Sequence, residues 1–311
     1  MSHVMNILDA AGSAFFSREL EHIKQESYDV LYADLTYDKV FPVDSEANPG
    51  ATHITYHTYD HRGMAEVVNN YAKDLPRVDV DGVETTVPVR TVGSAFGFTI
   101  DEINASKMVG KKLDRRRAMA ARRAIEEKFN TITWTGDTAA GLYGVLTHPN
   151  IPSGNAPTTG TSSGTEWSTK TALLIRDDIN TMFRTIFTGT KGVERADTLC
   201  LPPTQWSYVM EKEISNDSGL TIAQWFVKNS PYFKSLDDFI VVPELEGAGT
   251  SGSDVAVALT RRKDKVEVVI PQDVYFHPEE KRSLEYVTDV TGRFGGLNVY
   301  YPMSMYILEL I

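Results

Sequence analysis

A single cysteine, Cys200, among 311 residues excludes an internal disulfide and a cysteine-based zinc site. It fits folding in a reducing compartment. No apolar run approaches the roughly 20 residues needed to span a bilayer. Met1 to Phe16 lacks a basic stretch ahead of an apolar one, so no secretory signal is expected. A soluble intracellular product without a membrane partner follows from these absences. Positive charge is also short: 31 Lys and Arg stand against 42 Asp and Glu, a net charge of -11, which argues against a generic nucleic-acid coat. The phosphate-binding pattern G-x-x-x-x-G-K-[ST] does not occur, and there is no short-period repeat. What remains, at 41 % hydrophobic and 23 % charged residues, is an ordinary globular composition, long enough for one large domain or two.

The most informative segment runs from Thr99 to Asn150. Thr99 and Glu102 fit a capping box that opens a helix reaching about residue 132. At 100° per residue, Ile103, Leu113, Ala121, Ala124, Ile125 and Ile132 share one face. Lys112, Arg115, Arg116, Arg122 and Arg123 share the other. At 1.5 Å per residue such a helix spans about 45–50 Å, and Gly110 weakens it locally. Arg117 and Lys128 intrude on the apolar face and must snorkel or meet acids on a partner.

Ahead of the helix, residues 1–50 read as an arm. Ala14, Phe15, Phe16, Leu20 and Ile23 give it a weak helical stripe, and it packs on its own body or a neighbour. His53 to Tyr59 alternates as a strand, and Val83 to Val92 is a second. With a long polar connection between them, they form a projecting hairpin too thin to stand alone in water. Behind the helix, residues 153–170 are a loop. The next helix carries Leu173, Leu174, Ile179, Met182, Phe183 and Ile186. Thr198–Leu201 is a buried strand, Pro202-Pro203 opens a helix, and another helix covers 222–228. Strands fit 239–242, 255–259 and 266–270, and 284–310 is largely β. Helices inserted among such strands give an α+β class.

Each chemical motif has a plainer structural reading. Gly247-Ala-Gly249-Thr-Ser-Gly252 matches G-x-G-x-x-G, but a strand follows where dinucleotide binding needs a helix N-terminus, so a hairpin loop is expected. His53, His57 and His61 share a strand face at four-residue steps of about 13 Å, too far apart for one metal ion. Cys200 lies mid-strand as an inert thiol. Asp177-Asp178 and Glu279-Glu280 read as solvated pairs. No catalytic, metal or cofactor constellation emerges, so the chain is expected not to be an enzyme. Nine basic and three acidic residues lie between 107 and 128. That face is either solvated and paired with acids elsewhere in the chain, or it meets nucleic-acid phosphate or acidic arms of neighbouring subunits.

The order of these parts resembles the major capsid proteins of tailed phages, with the Hong Kong 97-type fold. The matching residues are Asp79-Val80 ahead of Val87-Pro88-Val89, and Ala120-Ala121-Arg122-Arg123-Ala124-Ile125-Glu126-Glu127. Gly136-Asp137, Gly141-Leu142-Tyr143-Gly144-Val145-Leu146 and Pro149-Asn150 follow. Then come Pro243-Glu244-Leu245, Gly247-Ala248-Gly249, Gly252, Asp254, Arg293-Phe294-Gly295-Gly296 and Pro302.

The resemblance implies an N-terminal arm over 1–50 and an extended loop over 51–90 lying across a neighbour. It implies a peripheral domain with the spine helix over 91–140 and 273–311, and an axial domain over 141–272. It further implies hexamers and pentamers of an icosahedral head around double-stranded DNA, assembled in the bacterial host cytoplasm. A separate scaffolding protein, a portal and decoration proteins would be partners. The alternative is an encapsulin-like nanocompartment shell around enzyme cargo. An α+β enzyme would need a pocket with convergent titratable groups, and a tail or decoration protein would be mostly β.

Overall fold

The computed structural model describes residues 33–65, 77–109, 114–160, 164–214 and 219–311. Residues 35–311 form one unit and 1–34 another. The apolar stripe expected at Ala14–Ile23 lies outside the described residues, as do Asn69, Asn70, Gly110, Lys112 and Leu113.

The central helical region is described in two pieces. Helix α2 covers Ile100–Val109 and α3 covers Asp114–Thr135, and residues 110–113 between them lie outside the described residues. The capping box is present: Thr99 N–H donates to Glu102 Oε2 at 3.2 Å and Glu102 N–H donates to Thr99 Oγ1 at 3.2 Å. Along α3, Ala121, Ile125, Phe129 and Ile132 recur at helical spacing and are buried. Ala124 is exposed, one step off that stripe. At 22 residues, α3 spans about 33 Å.

It packs on a sheet that the sequence disclosed only in part. Strand β4 (Arg90–Thr99) pairs antiparallel with β12 (Glu285–Phe294) along the full length of both, from Phe294↔Arg90 to Glu285↔Thr99. The other edge of β12 carries β10 (Gln272–Phe276) and β11 (Glu280–Arg282). The contact with α3 is tight: Phe129 and Phe294 stack at 4.7 Å, and a Cβ on Gly292 would sit 2.8 Å from the Phe129 ring.

Part of the presumed arm docks on this body. Short helix α1 (Tyr37–Val40) leads into β1 (Val43–Asp44), which pairs parallel with β9 (Val266–Val269), and β9 pairs antiparallel with β13 (Leu297–Val299). Asn130 Oδ1 accepts from the Thr36 and Tyr37 amides at 3.2 and 3.0 Å, Trp134 Nε1 donates to Thr36 Oγ1 at 2.8 Å, and Asn130 Nδ2 donates to Glu244. This lock ties residue 36 to α3 and to the turn at Pro243–Leu245.

A five-stranded sheet runs β5 (Ser153–Asn155), β14 (Met305–Glu309), β8 (Ala256–Leu259), β6 (Thr198–Leu201), β7 (Phe239–Val241). Its continuous apolar strands are buried on both faces. Cys200, Val257, Leu259, Met305 and Ile307 join the core of α3. Leu199, Leu201, Ala256, Ala258 and Leu308 join a second core with α4 (Ala172–Gly189), α5 (Pro203–Glu211) and α6 (Ile222–Asn229). Within α4, Ile175, Ile179, Met182, Phe183 and Ile186 face this core, whereas Leu173 is exposed.

Three expectations change. Residues 153–155, read as loop, form β5 alongside β14. Strands β7 and β8 lie on opposite sides of β6, so the glycine-rich segment joining them is a crossover and not a hairpin loop. Asp178 is buried, its carboxylate 2.6 Å from Lys170 Nζ, because successive helical residues point 100° apart and only Asp177 faces water.

Candidate assembly surfaces

Strands β2 (His53–Arg62) and β3 (Asp79–Pro88) form a ten-pair antiparallel ladder from His53↔Pro88 to Arg62↔Asp79. The second strand therefore begins at Asp79, four residues earlier than the sequence suggested, and ends before Val89. One face of the ladder is anchored at its root. Tyr56 stacks edge-on to Tyr300 at 4.8 Å and its hydroxyl donates to Val299 O at 3.4 Å. Ile54 packs against Gly295, where a Cβ would leave only 2.5 Å. Arg293 holds the approach to β2 by donating to Ala51 O at 2.7 Å and to Pro49 O.

Toward the far end the apolar side chains lose their cover. Tyr59 is 67 % exposed, Val83 61 % and Met64 80 %. A two-stranded ribbon with bare valines and a bare tyrosine is marginal in water and becomes stable when something covers it. His53, His57 and His61 are exposed on the face opposite Ile54 and Tyr56, the face that also carries Tyr59, and no group able to hold a metal ion occurs among the described residues.

The basic helix face is less free than its sequence suggests. Arg122 Nε donates to Glu126 at 2.7 Å and its guanidinium lies 3.7 Å from Asp273; Arg123 Nε donates to Glu127 at 2.8 Å. These are i, i+4 pairs, each about 0.3–0.5 kcal/mol. Arg117 and Lys128 also meet acids of their own chain rather than a partner's. Arg117 bonds Glu102 at 2.8 and 3.1 Å and lies over the Phe98 ring at 4.5 Å; Lys128 bonds Asp137 at 3.2 Å. Arg115 and Arg116 are exposed, and Lys112 lies outside the described residues. Arg115 borders a cleft of about 740 Å³ with Phe98, Ile103, Ala118 and Tyr286.

Amides of the glycine-rich crossover donate within the chain. Gly247 N–H donates to Asp254 Oδ1 at 2.9 Å, Gly249 N–H to Ser253 O at 2.8 Å and Thr250 N–H to Glu309 Oε2 at 3.2 Å. Two carboxylates stand where an anion would have to lie. Cys200 is fully buried, and burial pushes its thiol far above the usual range.

Two polar clusters escaped the sequence reading. The Thr36–Asn130–Glu244 lock brings together residues far apart in the chain, and the Lys170–Asp178 pair spans eight residues across a turn, beyond the i, i+4 spacing of helical contacts. A third had one local clue: Glu267 interrupts the apolar strand Val266-Glu267-Val268-Val269.

A family model described as major capsid protein matches residues 63–311. The chain belongs to the major capsid protein family. No curated protein matches. Among solved structures, this capsid protein is similar to the capsid of Myoviridae phage XM1, with a TM-score of 0.82 and 17 % identity over 96 % of this chain and 100 % of that one. The Gordonia phage Cozz structure gives 0.62 at 11 % identity over 99 % and 98 %. A virus-like particle from Pyrococcus furiosus gives 0.54 at 12 % over 87 % and 90 %. At such identities the likeness carries the fold, which is the Hong Kong 97-type capsid fold of mixed helix and sheet. As a member of its family the chain is a structural subunit of a capsid.

Proposed function

We propose that copies of this capsid protein close into hexamers and pentamers of an icosahedral shell around double-stranded DNA. Heterologous contacts of one subunit on the next build such rings. The observation that carries the reading is the hairpin: an anchored root and a far half whose valines and tyrosine are bare in the single chain. Laid across a neighbour, the hairpin buries that surface as large obligate interfaces do. Residues 91–140 with 273–304 form the peripheral part, and 141–272 with β14 the axial part. Residues 1–50 serve as the arm, with its last residues already docked on the body.

A separate scaffolding protein, a portal and decoration proteins are the partners expected in the bacterial cytoplasm where the virion forms. The work of such a subunit is architectural, without catalysis. The nanocompartment alternative draws on the weaker structural likeness. Electron microscopy of the purified protein tests the reading. Uniform shells or capsomer rings are expected, and a monodisperse monomer at high concentration overturns it. Changing Arg115 and Arg116 to glutamate separates the two roles of the basic face. Loss of shells marks contact between subunits, and intact shells that retain DNA poorly mark contact with phosphate.

A further inference from the structure

We infer that Glu267, Asn298 and Tyr300 form a proton-operated joint under the root of the hairpin, which holds the hairpin firmly in acid and loosens it toward neutral pH. Val266 and Val268 point into the core, so Glu267 points to the other side of β9, where it is only 6 % exposed. Asn298 stands directly opposite on β13 and is 0 % exposed. Side chains so paired have Cβ atoms about 5 Å apart. The Tyr300 hydroxyl donates to Glu267 Oε1. Among the described residues, Glu267 Oε2 and both amide atoms of Asn298 have no hydrogen-bond partner, although the carboxamide lies beside the Tyr300 hydroxyl.

The surrounding charges make this arrangement sensitive to a proton. The cation facing Glu267 is Lys263, its Nζ 4.0 Å from Oε2 and committed to Asp44 at 2.9 Å. Asp44 and Glu46 add repulsion from the β1 side. An ionised Glu267 therefore holds a buried acceptor that nothing satisfies, which is costly. Protonated, the carboxyl gains an O–H that Asn298 Oδ1 can accept, and two orphaned groups become partners. Burial lifts the Glu267 pKa, so the native state takes the proton before the unfolded chain does. The stabilisation is complete below the ordinary glutamate range and is lost as pH rises through the folded value. Tyr300 carries the effect to the hairpin, since its ring is stacked on Tyr56 and its neighbour Val299 accepts the Tyr56 hydroxyl.

Hydrogen exchange of the hairpin-root amides, residues 55–57 and 84–86, tests the joint. It is measured on the full chain before any shell forms, so the result stands apart from the assembly reading. As pH rises from the ordinary glutamate range toward neutral, protection in the native chain, corrected for intrinsic exchange, is expected to fall severalfold. Glu267→Gln should keep the acid-side protection throughout. Should that variant fold poorly, Lys263→Met serves instead, because loss of the cation that faces Glu267 must move the transition to higher pH. A native profile without pH dependence, a Glu267→Gln profile that follows the native one, or an unmoved transition in Lys263→Met overturns the proposal.

Discussion

Lys170 and Asp178 lie buried together, and Trp167 Nε1 donates to the same carboxylate oxygen at 3.0 Å. Removing one partner strands a charge. Asp178→Asn is therefore expected to cost about 3–5 kcal/mol in denaturant unfolding, whereas replacing both residues with apolar ones of similar size costs far less. Gly144 is constrained by backbone: a Cβ there would lie 2.4 Å from the Gly136 amide nitrogen and 2.7 Å from Ile132 O. Gly144→Ala should lower the midpoint by an amount equivalent to at least about 1–3 kcal/mol, read from thermal unfolding. His148 supplies a pH dependence. Burial lowers its pKa below 6.5, so it is neutral in the native state and its contribution is present above that value and lost as pH falls through the folded one. Stability measured against pH should flatten in that acid range in His148→Gln. At this scale sequence told least. The inert Cys200 was legible from its apolar neighbours, but Asp178 was not, because its partner stands eight residues away across a turn.

Helix α3 owes its place to a stripe that ends in Phe129 on Phe294. Phe129→Ala removes the stacked ring and leaves a void beside Gly292, with an expected loss of about 3–5 kcal/mol. Sequence periodicity found α3, α4, α5, α6 and the apolar strands β6, β7, β8 and β9, since each declares itself within a few residues. It missed β4 because Gly93, Ser94, Ala95 and Gly97 favour no strand, and pairing with β12 supplies what propensity lacks. It missed β5 because Ser153-Gly154-Asn155 has the composition of a turn and is extended only where β14 runs beside it. The crossover between β7 and β8 was mistaken for a hairpin for a similar reason: which strands pair is decided far along the chain.

Within residues 35–311, the five-stranded sheet lies between two cores, while the β2–β3 ribbon leaves apolar side chains bare. Replacing residues 58–83 with a short glycine linker should leave the unfolding transition of the body nearly unchanged and abolish shells, seen by sedimentation and electron microscopy; shells of normal size from that variant would sink the role given to the hairpin. The two strands of the ribbon were readable because valine and tyrosine that alternate without a local core are themselves a pattern. The placement of β14 beside β8, and not beside β12, was unreadable, as it depends on a pairing across about fifty residues. That placement bears on synthesis. With β14 seated between β5 and β8, a polypeptide still emerging from the ribosome lacks the strand that ties β5 into the five-stranded sheet until residue 309 has been made. Arrested chains ending before it are expected to stay protease-sensitive in limited proteolysis.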